Sequence, residues 1–249
     1  GDLCIFLPYI QQIQKHNTDL NFTLITKKRS SAKQILECEI PFIKTIYYFF
    51  LSYKFDTKNT ILFNQKRNVI TNFKEYNQVV NRCKDTFIKK TKDYGTAWRV
   101  LRTISVVDQI FIKALRIRTI QDLQTQKVGD DINSEFKGIV NYAVIGLIQL
   151  ALGNPQVEEL PVDQVEKLYL QYVDFARQTM LDKNHDYGEA WRDMSQESFA
   201  DLILMKLMRI KQILGNDGKT LISEGIDANY VDILNYSVFA LILISEGKH

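Results

Sequence analysis

Asp93-Tyr94-Gly95-Thr96-Ala97-Trp98-Arg99 returns 93 positions later as Asp186-Tyr187-Gly188-Glu189-Ala190-Trp191-Arg192. The two copies hold the chain's only two tryptophans. The match runs on downstream. Asp108, Lys113 and Arg116-Ile117 return as Asp201, Lys206 and Arg209-Ile210 at the same offset, and Asn141-Tyr142 returns as Asn235-Tyr236 one position further out. Chance does not hold such a register over about 50 positions, so the chain contains an internal duplication.

The segments around each copy read as helices. Phe73–Thr91 carries apolar residues at Phe73, Tyr76, Val79, Val80, Cys83, Phe87 and Ile88, the spacing of one buried helical stripe. Gly95 breaks that helix, and Ile104–Leu123 and Asn133–Leu152 give two more, the last stopped by Gly153-Asn154-Pro155. The second copy repeats the plan as Val162–Lys183, a turn at Asn184–Gly188, Ser198–Leu214 and Asp227–Ile244. Each third helix is nearly all apolar, after Gly138 and after Asp232. Such a rod cannot hide its surface alone. The pattern predicts two three-helix units, 73–155 and 161–246, packed through a pseudo-twofold axis as an all-α bundle.

Apolar positions repeat because they pack; the repeated polar positions ask for another reason. Asn229, Asp232 and Asn235 are spaced by three along the last helix, opposite Glu135, Gly138 and Asn141 of the first unit. Carboxylates at such spacing can hold Mg²⁺, which usually travels with a phosphate-bearing ligand. Asp201, Asp232 and Glu135 are the metal-ligand expectations. Lys113, Arg116, Lys206 and Arg209 suit a phosphate, Arg as a bidentate fork. Tyr94, Trp98, Tyr187 and Trp191, beside their glycine turns, suit a base; Asp93, Asp186, Asn141 and Asn235 complete the expected ligand-binding set. A plainer use stands beside each. The Asp and Arg residues can be ion pairs tying the second helix to the turn, the asparagines can satisfy buried backbone, and the tryptophans can be core. If the Asp232 ridge holds a metal, Gly138 in the matching place means that the units share one composite site or that only one is live. No catalytic residue is assigned.

Composition excludes more than it selects. Of 249 residues, 45% are hydrophobic and 24% charged, ordinary values for a globular chain. Net charge is +3, and residues 73–249 carry 22 Lys/Arg against 24 Asp/Glu, so the repeats lack a strong nucleic-acid signal. Cys4, Cys38 and Cys83 have no zinc spacing and read as reduced thiols of a cytoplasmic protein. No apolar run approaches about 18 residues, so no membrane span is expected. Gly1-Asp2 opens without a Lys/Arg-rich start, so no signal peptide is expected either.

Residues 1–55 read differently: a helix over residues 3–15, a strand at Leu20–Thr26, a short helix at Ser30–Glu37 and a strand at Ile43–Leu51. That order predicts a small, incomplete, Rossmann-like α/β segment. Gly1-Asp2-Leu3, Leu7-Pro8, "LNFTLITKK" and "EIPFIKTIYYF" resemble the start of the heptosyltransferase-like (family 9) glycosyltransferases. The resemblance implies that Asp2 falls where the family activates an acceptor hydroxyl. Without a second nucleotide-sugar domain to form the crevice, the segment reads as non-catalytic. Polar Asp56–Thr71 reads as a linker (56–72).

The phrase D-Y-G-x-A-W-R, then D-x4-K-x2-R-I and a closing N-Y on an apolar helix, resembles the bacterial and phage family of nucleotide modification associated domain 1, in tandem copies over residues 73–246. The resemblance implies an association with nucleotide or DNA modification. The helical layout and late carboxylate ridge are also similar to the MazG-like all-α nucleoside triphosphate pyrophosphatases, which set paired E-x-x-E and E-x-x-D motifs around Mg²⁺. Here N-x-x-D replaces E-x-x-D. The expectation is a protein binding a nucleotide or nucleotide-derived small molecule, with Mg²⁺-dependent triphosphate hydrolysis as the enzymatic version. The alternatives are a non-catalytic binding or assembly module, a homo-oligomer among its forms, and last a glycosyltransferase.

Overall fold

The computed structural model describes residues 57–153, 157–220, 222 and 224–249, with side chains from Phe73 onward. The α/β segment expected over 1–55 and its resemblance to glycosyltransferases lie outside the described residues. The chain divides into two units, Gly1–Gln65 and Lys66–His249; the second holds both repeats.

Six helices make up the described residues: α1 (Thr57–Tyr94), α2 (Thr103–Leu123), α3 (Ile132–Leu152), α4 (Val162–Tyr187), α5 (Gln196–Gly215) and α6 (Ile226–Ser245). No strand occurs among them. The all-α expectation holds, three helices to a repeat. Two boundaries need correcting. The stretch read as a linker is helical from Thr57, because polar residues without Gly or Pro do not stop a helix. The turn expected at Asn184–Gly188 is helical as far as Tyr187, and only Gly188 leaves it.

The helices pair across the repeats, each with its own counterpart. Asp108 on α2 meets Lys211 on α5 at 2.8 Å, and Arg118 meets Asp201 at 3.3 Å. Early pairs with late, so α2 and α5 run antiparallel. The two bridges are each other's image, since 108 and 201, like 118 and 211, are 93 apart. α1 and α4 obey the same dyad. Lys84 binds Glu166 at 2.6 Å, and in the mirrored place the Arg177 guanidinium lies 4.6 Å from the centre of the Phe73 ring.

The apolar third helices α3 and α6 make the most extensive contact and form the middle of the core. Their approach is close: a methyl group at Gly146 would lie 2.6 Å from the Tyr230 ring. By length and mean hydropathy, 1.3 and 1.4 over 18 residues, both are apolar enough to cross a membrane, though neither is an unbroken apolar run of that length. Scattered Asn, Tyr and Ser interrupt the apolar runs without lowering the mean far enough. In the bundle 61% and 78% of those windows are buried. The two helices cover each other.

Candidate functional site

The two copies of the opening phrase fold alike. Gly95 and Gly188 take positive φ, +68° and +65°, where a side chain is strained. The next residues, Thr96 (φ −100°, ψ 43°) and Glu189 (φ −99°, ψ 44°), lead into the 3₁₀ turns Ala97–Val100 and Ala190–Asp193. The repeat is thus one of backbone shape as well as of letters.

The phrase divides into an inner and an outer half. Arg99 and Arg192 anchor the inner half. Arg99 is 2% exposed and donates through Nε to Glu158 Oε2 at 3.0 Å and through Nη1 to Gln149 Oε1. The Gln149 amide in turn donates to the carbonyls of Trp98, Arg99 and Leu101. Arg192 binds Glu75 at 2.5 Å, Glu246 at 2.9 Å and Glu189. Trp191, 7% exposed, stacks on Phe239 with ring centres 4.3 Å apart, and Trp98 packs half-buried near Phe87. Both tryptophans belong to the packing. The outer half points to solvent: Asp93 and Asp186 are exposed, as are Tyr94 at 61% and Tyr187 at 78%. His185 meets its neighbour Asp186 at 3.0 Å.

Asn141 and Asn235 do structural work that exchanges partners between repeats. The Asn235 amide donates to the Ala176 carbonyl at 3.0 Å and accepts from the Tyr76 hydroxyl at 2.8 Å. The Asn141 amide donates to the Cys83 carbonyl at 3.2 Å and accepts from the Tyr169 hydroxyl at 2.9 Å. Positions 76 and 169, like 83 and 176, are again 93 apart. Each asparagine therefore holds its own repeat's first helix by a carbonyl and the other repeat's by a tyrosine. Burial pushes both tyrosine hydroxyls far above the ordinary range and the Cys83 thiol up to about 12. The two tyrosines stay protonated, as donors to those amides require.

The repeated cations form two clusters. In the second repeat Lys206, 6% exposed, reaches Asp232 Oδ2 at 2.5 Å, and Lys183 reaches Oδ1 at 2.7 Å. Partial burial acts to lower the Lys183 pKa, but the hydrogen bond and charge of Asp232 outweigh it and raise the value. Three residues beyond Lys206, exposed Arg209 has no hydrogen bond or ion pair among the described residues. One turn beyond Lys183 on α4 stands Tyr187. Lys183 was not singled out from sequence. Its match to Lys90 at the same offset of 93 was the available signal. In the first repeat Lys113 reaches Glu135 at 3.0 Å, and Arg116 binds the same carboxylate.

The expected metal carboxylates are not brought together as a donor set. Asp201 faces Arg118 across α2 and α5, Asp232 has a lysine on each oxygen, and Glu135 is shared by a lysine and an arginine. Among the described residues no group of three or more His, Cys, Asp or Glu side chains could hold a metal ion. Mg²⁺ asks for oxygen donors with uncompensated charge. These carboxylates spend theirs on cations, so the arrangement does not fit an ion held by them.

No curated protein and no solved structure matches the chain. The family model described as nucleotide modification associated domain 1 matches twice, over residues 90–150 and 183–244. Each match opens near the end of a repeat's first helix, takes in the glycine turn and second helix, and closes in the third. The chain therefore belongs to the nucleotide modification associated domain 1 family and carries its domain in two copies.

Proposed function

We propose that the chain binds a nucleotide or nucleotide-derived phosphate ester at the second cluster and serves nucleotide modification by holding that ligand. One observation carries the proposal: exposed Arg209, without a partner among the described residues, stands one turn from the buried Lys206–Asp232 pair, which half-exposed Lys183 also joins. A guanidinium so placed has its fork free for phosphate oxygens. Lys183, half-exposed on α4, holds the other oxygen of Asp232 and adds charge to the cluster. Lys206 is spent on Asp232 and supports from below. Tyr187 offers an exposed ring one turn away for a base; Trp191, stacked inside, does not. The family's association with nucleotide modification supports the same ligand class. The carboxylates, each paired with cations, do not fit a held Mg²⁺, and binding at this cluster needs none.

The test is a thermal-shift screen of the chain against nucleoside mono-, di- and triphosphates, with and without Mg²⁺, beside Arg209→Ala. A ligand at 100 times its Kd adds about 2.7 kcal/mol of stability, which is several degrees for a domain of this size. The expected result is a shift that needs no Mg²⁺ and is lost in Arg209→Ala. A shift seen only with Mg²⁺ favours the metal-dependent version instead. A flat screen on folded protein favours the assembly module.

A further inference from the structure

The two clusters differ in where the acid stands, and we propose that this leaves the second repeat as the chain's single phosphate site, the first being closed by its own glutamate. The proposal rests on the phosphate reading above. At the third-helix offset of 94, Glu135 corresponds to Asn229 and Gly138 to Asp232. The carboxylate has moved by one helical turn between repeats.

That shift decides what the arginine can do. Asp232 takes Lys206 and Lys183 and leaves Arg209 with no bond among the described residues. Glu135, in the first turn of α3, takes Lys113 and Arg116 together. Arg116 donates through Nη1 to that carboxylate and through Nη2 to the carbonyls of Asp130 at 2.6 Å and Val128 at 3.3 Å. Its fork already grips an anion, and that anion is an internal one. An incoming phosphate would have to take Arg116 from Glu135, which is 5% exposed and would keep Lys113 as its remaining counter-charge.

Gly138 makes the closed form possible. A Cβ there would lie 2.8 Å from Lys113 Cε, so the lysine stem occupies the place that the Asp232 side chain takes in the other repeat. The position carries either the stem or the acid. With the stem, lysine and arginine both turn to Glu135; with the acid, the lysine is held locally and the arginine is released.

The experiment is isothermal titration calorimetry of the whole chain with inorganic tripolyphosphate. Wild type should bind one equivalent, and Arg209→Ala none. The double variant Glu135→Asn/Gly138→Asp, which gives the first repeat the second's arrangement, should bind two. Glu135→Gln, which removes the charge and keeps the shape, is the companion if the double variant does not fold; it too should gain the second equivalent. Two equivalents in wild type, or one retained in Arg209→Ala, overturn the proposal. So does a folded Glu135 variant that still binds one. No binding in wild type overturns the phosphate reading itself, and this inference with it.

Discussion

Asn235 shows how much a single amide can carry. Its truncation strands the Tyr76 hydroxyl in the core and removes the side-chain donor to the Ala176 carbonyl. A buried polar group left unpaired costs about 1–3 kcal/mol, so Asn235→Ala should lose roughly 3 kcal/mol in urea unfolding. Asn141→Ala should lose less, because Asn141 is only half-buried. Equal losses at the two sites would contradict this. Asp232 poses a sharper case. Removing it leaves the Lys206 ammonium buried without its counter-charge, and breaking such a pair costs about 3–5 kcal/mol. Asp232→Ala should therefore unfold at markedly lower denaturant, and Lys206→Met/Asp232→Leu should recover most of the loss. Retained stability in the single variant would show that water reaches the lysine. At this scale the sequence was half legible. It marked the asparagines, lysines and arginines as positions with a purpose. It could not show that the asparagines' carbonyl partners lie on helices 58 and 59 positions away, or that Asp201 belongs to Arg118 rather than to Asp232.

The six helices were legible because an apolar stripe has a period, and length and period together leave little choice. Their ends were less so. A polar stretch without glycine or proline can continue a helix or leave it, and α1 continues. α3 starts more distinctly: the Asp131 carboxylate accepts from the Ser134 amide at 2.8 Å. Hydrogen bonds from Ser134 hold its pKa below the ordinary carboxylate value. Asp131→Ala should cost about 1 kcal/mol at neutral pH. A depressed carboxylate pKa stabilises the fold above its unfolded-state value and ceases to do so as pH falls through the folded-state value. The difference between wild type and Asp131→Ala should therefore be full at pH 7 and shrink on acidification below about pH 4. Unfolding curves at a series of pH values measure it, and a difference that grew in acid would mean the cap is not the source. The same helix carries Glu135 in its first turn, so its start is also where the first cluster is closed.

At the scale of the molecule, the 93-residue offset predicted a pseudo-twofold, and the helices pair accordingly: α1 with α4, α2 with α5, α3 with α6. What the repeat could not convey is which side of each helix faces the axis, since apolar residues line nearly all of α3 and α6. The geometry makes a demand on half the chain. A single repeat carries both a tyrosine donor and an asparagine acceptor, but they serve the other repeat. A fragment of residues 157–249 should therefore associate, Tyr169 of one copy binding Asn235 of the next as Tyr76 does here. Light scattering would show a dimer; a folded monomer would contradict the dyad as the source of stability. The pairing of α3 with α6 also has a consequence in time. α3 is finished at Leu152 and its cover at Ser245. At about 5–20 residues per second of synthesis, the nascent first repeat waits roughly 5–20 seconds with α3 packed on α2 but without α6, its most extensive neighbour. The core between the repeats can therefore close only once α6 has been made.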